Sequence, residues 1–502
     1  MAELLKASMA TEDWKKLILK TDPKEDWHYL SEGNANIVFT CRKSNTPLAG
    51  FVLRLSKQRD FKQQLWPHDL ATKWLGKEYI GDIVYPISIP KEFSKTLVET
   101  WDKSRPTHRK GQDECETELC EEACLMYNWC QLPMAANVPT KPGKMFTWEI
   151  KPKNLFLSSS PFIDDSHIRK LVCEFSRLQW HKHKNKDESI CKHCPLNLLF
   201  KHNQDKTPKL FLSELLKCVG KQSYLKVFAH VSADSSIPLT TLCEIKDFEH
   251  TLENWNVLLE IFSDILQQHL NLFVKLSLLQ KLDCYDIEYV HACYRHLHTL
   301  QHGALYLSQI SLCSEYSSSS LVQSDNKQDD ANDEYKQSQT IALEKAYKQL
   351  QVLEHKHLSS NSQINSSLSN NACHCSKVES LRNKTVAWNT NVRHTLIQQS
   401  VQSNQPSELV DVINQYMVSR VFRDCSVIVT FDSNSFVFYL HSKCSSNTSS
   451  FLDTDPKSYC IGVIDLDPKP AQRIKDKWID VETEILDHYV IKVLGSDSPS
   501  NK

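Results

Sequence analysis

Two lysines separated by one proline are the most informative residues of this sequence for chemistry. They belong to the segment Trp148–Lys153, in which Glu149, Lys151 and Lys153 alternate with other residues as in a β-strand. Successive side chains of a strand point to opposite faces, so Lys151 and Lys153 are predicted to share one face. Pro152 removes a ladder donor, which favours a strand end. Two such cations favour a polyanionic ligand, with a solvated strand end as the alternative.

A turn of small residues lies upstream, between two predicted strands. It comprises Gly33, Asn34, Ala35 and Asn36, and a turn of this kind lets backbone N–H groups approach phosphate oxygens. It contains one glycine, so a plain hairpin turn is the alternative interpretation. Arg54 occupies the next predicted strand, where a kinase places the cation that holds its nucleotide phosphates. A surface arginine is the alternative at that position.

Two aspartates lie beside apolar runs in the C-terminal part of the chain. Asp424 precedes the run Ser426–Phe431, and Asp465 follows the run Ile461–Ile464. Phosphoryl transfer needs one carboxylate to orient or deprotonate the attacking hydroxyl and another to hold Mg²⁺. The two aspartates are therefore candidates for these roles, with cap or turn residues as the alternative.

A basic series follows Asp465. Lys469, Arg473 and Lys477 recur at intervals of four residues. In a helix, this spacing would place the three cations on one ridge that begins at the candidate metal ligand. We predict that the ridge binds substrate phosphates, with a solvated helix face as the alternative.

A second group of residues has the ligand types of a zinc site. His181, His183, Cys191 and Cys194 supply two imidazoles and two thiols. The Cys-x-x-Cys spacing suits zinc, whereas His-x-His is atypical and Lys182 lies inside it. A polar loop is therefore the preferred interpretation, and no structural zinc is expected.

Composition narrows the class of protein. The chain has 502 residues, 40% of them hydrophobic, which is enough to form the core of a large enzyme. Its formal net charge of −2 provides no general attraction to nucleic acid or to an anionic membrane. The sequence lacks a transmembrane run and a signal-peptide core. Its 18 scattered cysteines favour reduced thiols, so we expect an intracellular protein, cytoplasmic or nuclear. A monomer is a separate expectation.

Hydrophobic periodicity predicts an α+β protein with a strand-rich N-terminal part, residues 1–160, and a mixed C-terminal part, residues 161–502. Low-complexity insertions are placed near 314–334 and 358–372. Within them, Ser314–Lys327 and Ser359–Asn371 are predicted to be loops or linkers, and a helix at Tyr335–His355 is left open. The predicted strands are Ile37–Cys41, Gly50–Leu55, Ile83–Ile87, Ser426–Phe431, Phe436–Leu440 and Tyr459–Leu466. The predicted helices are Asp69–Leu75, Ile168–Trp180, Lys209–Val219 and Leu252–Leu282.

The order of these motifs resembles that of the inositol-pentakisphosphate 2-kinases, over about residues 27–490. The similarity is carried by Gly-Asn-Ala-Asn at 33–36, Val-Leu-Arg at 52–54, Arg-Pro-x-x-Arg at 105–109, Glu-Ile-Lys-Pro-Lys at 149–153, Asp-Cys-Ser at 424–426 and Ile-Asp-Leu-Asp-x-Lys-Pro at 464–470. Cys-Pro-Leu-Asn-Leu at 194–198, Gln-Lys-Leu-Asp at 280–283 and Asp-Ile-Glu at 286–288 are also similar.

The resemblance implies a two-lobed fold like that of protein kinases, with an enlarged C-terminal lobe. It implies ATP and Mg²⁺ as cofactors and phosphorylation of the 2-hydroxyl of inositol 1,3,4,5,6-pentakisphosphate to inositol hexakisphosphate. By resemblance, Asp424 would receive the hydroxyl proton, Lys151 would assist catalysis and Asp465 would hold Mg²⁺. The nucleotide would be bound by Gly33, Asn34, Ala35, Asn36, Arg54, Asn128 and Glu149. The substrate phosphates would be bound by Arg109, Lys151, Lys153, Lys182, Lys226, Lys469 and Arg473.

The chain departs from the family pattern at two points. Arg177-Leu178-Gln179 stands where the family has Met-His-Gln, so one substrate-contacting histidine is missing. Ser223 and Tyr224 precede Lys226 where the family has an asparagine pair. These changes leave open a kinase for a different inositol phosphate, and a non-catalytic inositide-binding scaffold is a further alternative. The two retained aspartates argue against a scaffold, because they repel a polyanion unless a metal is present.

Overall fold

A computed structural model gives the chain two five-stranded antiparallel sheets with helices around them, so the fold is mixed α and β. The residues that it describes are 10–33, 36–43, 46–57, 66–81, 83–107, 122–131, 145–165, 167–182, 194–199, 225–232, 235–238, 251–308, 310, 328–363, 390–432, 459–467, 469 and 471–494. Within these ranges, helices of the length and apolar composition needed to cross a membrane are not found.

The first sheet has the strand order β1-β2-β3-β5-β4. Its middle strand β3 is buried along its whole length, as expected for a strand covered on both faces. The predicted strands at 37–41, 50–55 and 83–87 correspond to β2, β3 and β4 and are confirmed. The strands are β1 (Trp27–Glu32), β2 (Asn36–Cys41), β3 (Phe51–Ser56), β4 (Ile83–Ser88) and β5 (Glu122–Tyr127).

Helices of the N-terminal part cover different cores. Trp14 of the first helix packs on Phe51 of β3, with 5.2 Å between ring centroids. Trp74 of the second helix instead donates a hydrogen bond to the Lys275 carbonyl at 3.2 Å, within the core of the second sheet. The helix predicted at 69–75 is therefore confirmed. These helices are α1 (Thr11–Leu19), α2 (Trp66–Leu75), α3 (Lys77–Ile80) and α4 (Lys91–Thr100), followed by a 3₁₀ turn at Asp102–Ser104.

The second sheet has the strand order β10-β9-β6-β7-β8. Trp148 of β6 is fully buried and stacks on Phe262, with 4.1 Å between ring centroids. The strands are β6 (Met145–Ile150), β7 (Leu225–Ser232), β8 (Ser235–Pro238), β9 (Ser426–Asp432) and β10 (Tyr459–Ile464). The predictions at 426–431 and 459–466 are confirmed, although β10 ends two residues early. The predicted strand at 436–440 lies outside the described residues.

Helices pack on this sheet, and several predicted bounds need correction. The predicted helix 168–180 is interrupted at Val172, which is extended, and 252–282 is interrupted at His269. The predicted helix at 209–219 lies outside the described residues. The helices are α5 (Ile168–Leu171), α6 (Glu174–Lys182), α7 (Thr251–Gln268), α8 (Leu270–Gln280), α9 (Asp286–Thr299), α10 (Gly303–Ser308), α11 (Gln328–Gln363), α12 (Thr390–Ser403), α13 (Pro406–Asp424) and α14 (Ile479–Leu494), with a 3₁₀ turn at Pro195–Leu198.

Helix α11 contains the segment Tyr335–His355, where the sequence leaves a helix open, and extends into the second predicted loop. Residues 359–363 are helical, so the prediction of a loop is wrong there. Ala346 and Leu350 of α11 are buried in the core, and Lys345 pairs with Asp411 of α13 at 2.7 Å. Tertiary packing of this central apolar stretch therefore stabilises a helix that extends into the polar flanks.

A buried glutamine joins the loop after β6 to the end of α13. The Gln280 side chain accepts a hydrogen bond from the Leu155 amide at 2.7 Å. It donates to the carbonyls of Lys153 at 2.7 Å and Phe422 at 2.9 Å. Gln280 is fully buried, so these bonds replace water for three backbone groups. One amide thus fixes the loop that carries Lys153 against the helix that ends at Asp424.

The segment after β5 crosses to the second sheet at a glycine. A Cβ atom at Gly462 of β10 would lie 2.1 Å from the Trp129 ring, so the ring occupies the space of the missing side chain. Thr430 of β9 donates a hydrogen bond to the Trp129 carbonyl at 2.8 Å. Trp129 is 8% exposed, so this crossing is close-packed.

Gly462→Ala is expected to lower the free energy of unfolding by about 1–3 kcal/mol, because the methyl group would overlap the buried Trp129 ring. Chemical denaturation measures the change. Gly33→Ala is the matched control, since a Cβ atom at Gly33 would meet nothing within 4 Å. Equal stability of the two variants would contradict close packing at Gly462.

Gln280→Leu is expected to lower the free energy of unfolding by about 3–5 kcal/mol, because three buried backbone groups would lose their partner. Gln349→Leu is the control, since the Gln349 amide makes one weak bond, 3.5 Å long, to the Cys284 sulfur. Denaturant titration of both variants tests this. A loss below about 1 kcal/mol in Gln280→Leu would show that water or neighbouring groups replace its bonds.

Candidate functional site

The strand register of the second sheet brings the predicted catalytic residues to one edge. Strand β9 lies between β6 and β10 and runs antiparallel to both. Ile464 pairs with Ser426, and Ile150 pairs with Val427. The residues after β6 and after β10 therefore meet the residue before β9. These are the segments that contain Lys151, Asp465 and Asp424.

Lys151 and Asp465 form the first ion pair of this edge. The Lys151 ammonium lies 3.0 Å from an Asp465 oxygen and 3.8 Å from Glu149. The Ser426 hydroxyl lies 3.0 Å from the same Asp465 oxygen and 2.9 Å from Glu149. Burial raises the pKa of Asp465, but Lys151, Ser426 and Arg54 outweigh it and hold the pKa below its ordinary value. Asp465 is thus a carboxylate at neutral pH.

Lys153 and Asp424 form the second ion pair, with 3.4 Å between ammonium and carboxylate. The explanation predicted for the lysine pair is wrong, because β6 ends at Ile150 and neither lysine lies in the strand. Lys153 instead adopts a left-handed backbone with φ of 50°. Burial lowers the pKa of Lys153, and the charges of Lys151 and Lys182 lower it further against the opposing effect of Asp424.

The electrostatics of Asp424 suit a proton acceptor. Its side chain is 48% exposed. Burial raises the pKa of Asp424, but Lys153, Arg420 and Lys469 outweigh that effect, and the pKa is lowered. The group is therefore ionised and accessible at neutral pH, which a general base requires.

A buried ionic network orients the last turn of α13, just before Asp424. Arg423 pairs with Glu174 at 2.9 Å and also contacts Asp283. Arg420 pairs with the other Glu174 oxygen at 3.0 Å. Burial raises the pKa of Glu174, but the two arginines dominate and lower it strongly. Because a buried charge needs its partners, these contacts restrict the position of the helix end.

Side chains of the first sheet reach the loop after β10, which contains Asp465 and Asp467. The Gly33 amide donates to the Asn36 carbonyl at 2.9 Å, so the predicted turn closes the β1–β2 hairpin. The Asn36 side chain donates to Asp467 at 3.0 Å, and the buried Arg54 guanidinium pairs with the other Asp467 oxygen. Asn34 and Ala35 lie outside the described residues.

Asn128 lies directly after β5 with its side chain buried. Its oxygen accepts a hydrogen bond from the Cys130 amide at 3.1 Å, and its nitrogen lies 3.4 Å from the Thr40 hydroxyl. These bonds shape the segment between the two sheets. The role of Asn128 in nucleotide binding stays a prediction.

The cations predicted to bind substrate phosphates also include Lys226, Lys182, Lys469 and Arg109. Lys226 is opposite Glu149 in the register of β6 and β7 and pairs with it at 2.9 Å. Lys182 is the exposed last residue of α6, and its charge lowers the pKa of Lys153. The charge of Lys469 lowers the pKa of Asp424. Arg109 lies outside the described residues.

The predicted basic ridge needs correction. Lys469 is not helical and lies five residues before a π-helix, which comprises Ile474–Trp478. In a π-helix, hydrogen bonds join i to i+5. A spacing of four residues therefore does not place the three cations on one helical ridge. Arg473 is exposed at the start of the π-helix.

Arg177, which marks a departure from the family pattern, is buried away from solvent. Its guanidinium contacts Glu482 of α14 and donates to the Val172 carbonyl at 3.3 Å. It therefore joins α6 to the C-terminal helix. This contact could not be predicted from the motif, because its partner lies about 300 residues later.

Two of the candidate zinc ligands are described, and they have other neighbours. His181 lies 3.8 Å from Glu484 and packs edge-on against His488. The Cys194 sulfur lies 3.8 Å from the Cys173 sulfur. His183 and Cys191 lie outside the described residues. In the part of the chain that the structure describes, groups of three or more metal-ligating His, Cys, Asp or Glu side chains are not found.

The site residues nevertheless fit Mg²⁺ bound together with a nucleotide. Protein sites for this ion commonly supply one or two carboxylates, and phosphates and water complete the shell. Asp465 is ionised, its side chain is 48% exposed, and it lies beside the Ser426 hydroxyl. It could supply such a carboxylate.

Sequence reasoning missed three groups that build the site. Asp467, Ser426 and Gln280 each lie within quoted motifs but had no role assigned. A signal exists for Gln280, since an amide inside the apolar run of α8 must find buried partners. Ser426 gains its role from strand register, and Asp467 gains its role from contacts with the first sheet, neither of which a motif reveals.

Comparison with known proteins agrees with the motifs. The sequence model of the family described as inositol-pentakisphosphate 2-kinase matches residues 29–484. An inositol-pentakisphosphate 2-kinase from Arabidopsis thaliana is 24% identical over 202 residues, an alignment that covers 33% of this chain and 44% of that relative. The aligned part is thus less than half of the relative. Because the family match extends over most of the sequence, this chain belongs to the inositol-pentakisphosphate 2-kinase family.

Proposed function

We propose that the protein transfers the γ-phosphate of ATP to the 2-hydroxyl of inositol 1,3,4,5,6-pentakisphosphate, giving inositol hexakisphosphate. The observation that carries the proposal is the pair of ionised aspartates, Asp424 and Asp465, each held by a lysine at one edge of the second sheet. Phosphoryl transfer needs two carboxylates with separate roles, and cations around them suit a polyphosphate.

In this proposal the two sheets act as the two lobes of a kinase-like fold. The turn at 33–36 and Arg54 would bind the phosphates of ATP, because they approach the same loop as Asp465. Glu149 would act at the nucleotide as well. The segment after β5, which contains Asn128 and crosses to β10, would be the connection between the lobes.

The lysines would bind the inositide. Pentakisphosphate carries roughly eight to ten negative charges at neutral pH, so several cations are needed to offset them. Lys151 and Lys153 are already paired with carboxylates, so phosphates would compete for their ammonium groups. Bound phosphate would leave Asp424 with fewer charge partners, which makes it a stronger base. The other cations of this set would be Arg109, Lys182, Lys226, Lys469 and Arg473.

Asp424 would accept the proton of the attacking hydroxyl, and Lys151 would stabilise charge on the transferred group. When bound at Asp465, Mg²⁺ would supply electrostatic stabilisation of the phosphate oxygens. Arg423 and Glu174 would keep the end of α13 fixed while the substrate binds.

A kinase for a different inositol phosphate is the second candidate. Leu178 replaces the family histidine, and the adjacent Arg177 is engaged with Glu482. One phosphate contact of the family would therefore be missing, which favours a broader substrate range. The reaction type would be the same.

Purified protein with labelled ATP, Mg²⁺ and a panel of inositol phosphates tests the proposal. Transfer to the 2-hydroxyl of the pentakisphosphate is expected, and Asp424→Asn should lower kcat by about 10²-fold or more. Inositide affinity of the variant should be unchanged or higher, because a carboxylate that repels the polyanion is removed. Binding without turnover by the wild type would support a scaffold. More than about a tenth of wild-type kcat in Asp424→Asn would refute the assignment of the base.

Double replacement of Lys469 and Arg473 by alanine is expected to raise KM for the pentakisphosphate at least tenfold, and more at low salt than at high salt. KM for ATP should change little. Lys345→Ala/Lys475→Ala is the control with the same charge change, since Lys345 pairs with Asp411 between α11 and α13 and the charge of Lys475 lowers the pKa of His291 of α9. A selective rise of the ATP KM would contradict the inositide role.

A further inference from the structure

We propose that Asp467 is a positioning residue for nucleotide binding, which holds Arg54 and Asn36 of the first sheet in place from the loop after β10. The inference rests on the proposed function for its ligand, ATP. It assigns a role to the second aspartate of the Asp-Leu-Asp motif, whose first member is Asp465.

The two carboxylate oxygens of Asp467 contact side chains of two different strands. Oδ1 pairs with the Arg54 guanidinium of β3, and Oδ2 accepts a hydrogen bond of 3.0 Å from the Asn36 amide of β2. The register of the sheet places these partners on neighbouring strands, since Asn36 lies opposite Ser56 and Val38 lies opposite Arg54. One carboxylate thus spans β2, which begins where the 33–36 turn ends, and the neighbouring strand β3.

Burial makes this contact consequential. The side chain of Arg54 is 9% exposed and that of Asp467 is 21% exposed. A buried guanidinium must be paired, because its isolated charge is poorly solvated there. The Arg54 head group also contacts the Met126 sulfur at 3.8 Å, which is a weak acceptor, and Asp465 attracts it electrostatically. Asp467 therefore supplies the strongest orienting contact among the described residues.

A histidine of α2 packs at the same point. His68 is 7% exposed, and its Nδ1 atom has no hydrogen-bond partner among the described residues. Burial lowers the pKa of His68 to about 4, and the Arg54 charge contributes to that shift. His68 is thus neutral at pH 7 and offers Arg54 no counter-charge. Among the described residues, Asp467 therefore supplies the hydrogen-bonded counter-charge that orients Arg54.

The consequence for ligands is selective. Arg54 and the 33–36 turn belong to the proposed nucleotide side, whereas Lys153, Lys182 and Lys469 belong to the proposed inositide side. Loss of the Asp467 carboxylate should therefore weaken ATP binding and leave inositide binding nearly unchanged. A purely structural residue would affect both ligands together.

Calorimetric titration of Asp467→Asn with Mg²⁺-ATP and, separately, with the pentakisphosphate tests the proposal. The expected result is a rise of at least tenfold in Kd for ATP and less than a twofold change for the inositide. Asp411→Asn is the matched control, because Asp411 pairs with Lys345 at 2.7 Å between α13 and α11. It should leave both Kd values unchanged.

A double-mutant cycle separates the role of the contact from general stability. Asp467→Ala, Asn36→Ala and their combination should be non-additive in ATP affinity, since each substitution removes the hydrogen bond between the two side chains. Additive effects, equal loss of both ligands, or wild-type ATP affinity in Asp467→Asn would overturn the proposal.

The proposed function fails by a different result. A wild-type protein that binds neither ATP nor the pentakisphosphate would overturn the kinase assignment and the nucleotide role of Asp467 together. If wild-type protein binds both ligands and Asp467→Asn does so equally well, only the role of Asp467 is overturned.

Discussion

The position of β9 between β6 and β10 is the constraint on which the rest of the site depends. Both neighbours run antiparallel to β9, so their ends must meet its beginning. This arrangement places Lys151 beside Asp465 and Lys153 beside Asp424, although these partners are 314 and 271 residues apart in the chain. A shift of register by one residue would move the ends of β6 and β10 relative to the start of β9 and so separate these partners. The chemistry is therefore specified by backbone pairing before any ligand is present.

Pairing within the site also explains how so many charges can lie together without a substrate. Lysines at one edge repel each other, and the charges of Lys151 and Lys182 add to the effect of burial in lowering the pKa of Lys153. The aspartates offset that repulsion, and the lysines in turn keep both aspartates ionised. Phosphates that bind the lysines would displace these contacts, so the free energy of binding is the difference between two sets of ion pairs. Such exchange would keep the lysines paired when a polyanion binds, whereas Asp424 and Asp465 would each lose a partner.

Buried polar contacts behind the site are needed because exposed ion pairs alone hold position poorly. Gln280 fixes the loop of Lys153 to α13, and Arg423 with Glu174 fixes the last turn of that helix. Each of these groups is satisfied by specific partners, so movement of the helix end would leave buried polar atoms without bonds. The two networks thus restrict Lys153 and Asp424 from opposite sides of the loop.

Much of the local structure could be predicted from the sequence, because apolar periodicity reports which faces are buried. Strands β2, β3, β4 and β9 and helix α2 follow from that signal. It fails where tertiary contacts decide, as in α11, whose polar ends are helical because Ala346 and Leu350 are buried. Residue types at the site were predictable from motifs, whereas the reason for the convergence of Lys151 and Lys153 was not. It depends on the left-handed backbone of Lys153 after the strand has ended.

Two contacts between the sheets, here called crossings, differ in their chemical character. One joins Trp129 to Gly462, and the other joins Asp467 to Arg54 and Asn36. Trp129 over Gly462 is an apolar contact in which a ring fills the place of a side chain, and such packing tolerates little displacement. The contact of Asp467 with Arg54 and Asn36 is polar, and its donors can exchange one acceptor for another. Both crossings attach to β10 or to the loop that follows it. A ligand that competes for Arg54 would therefore act on the polar contact and leave the apolar one in place.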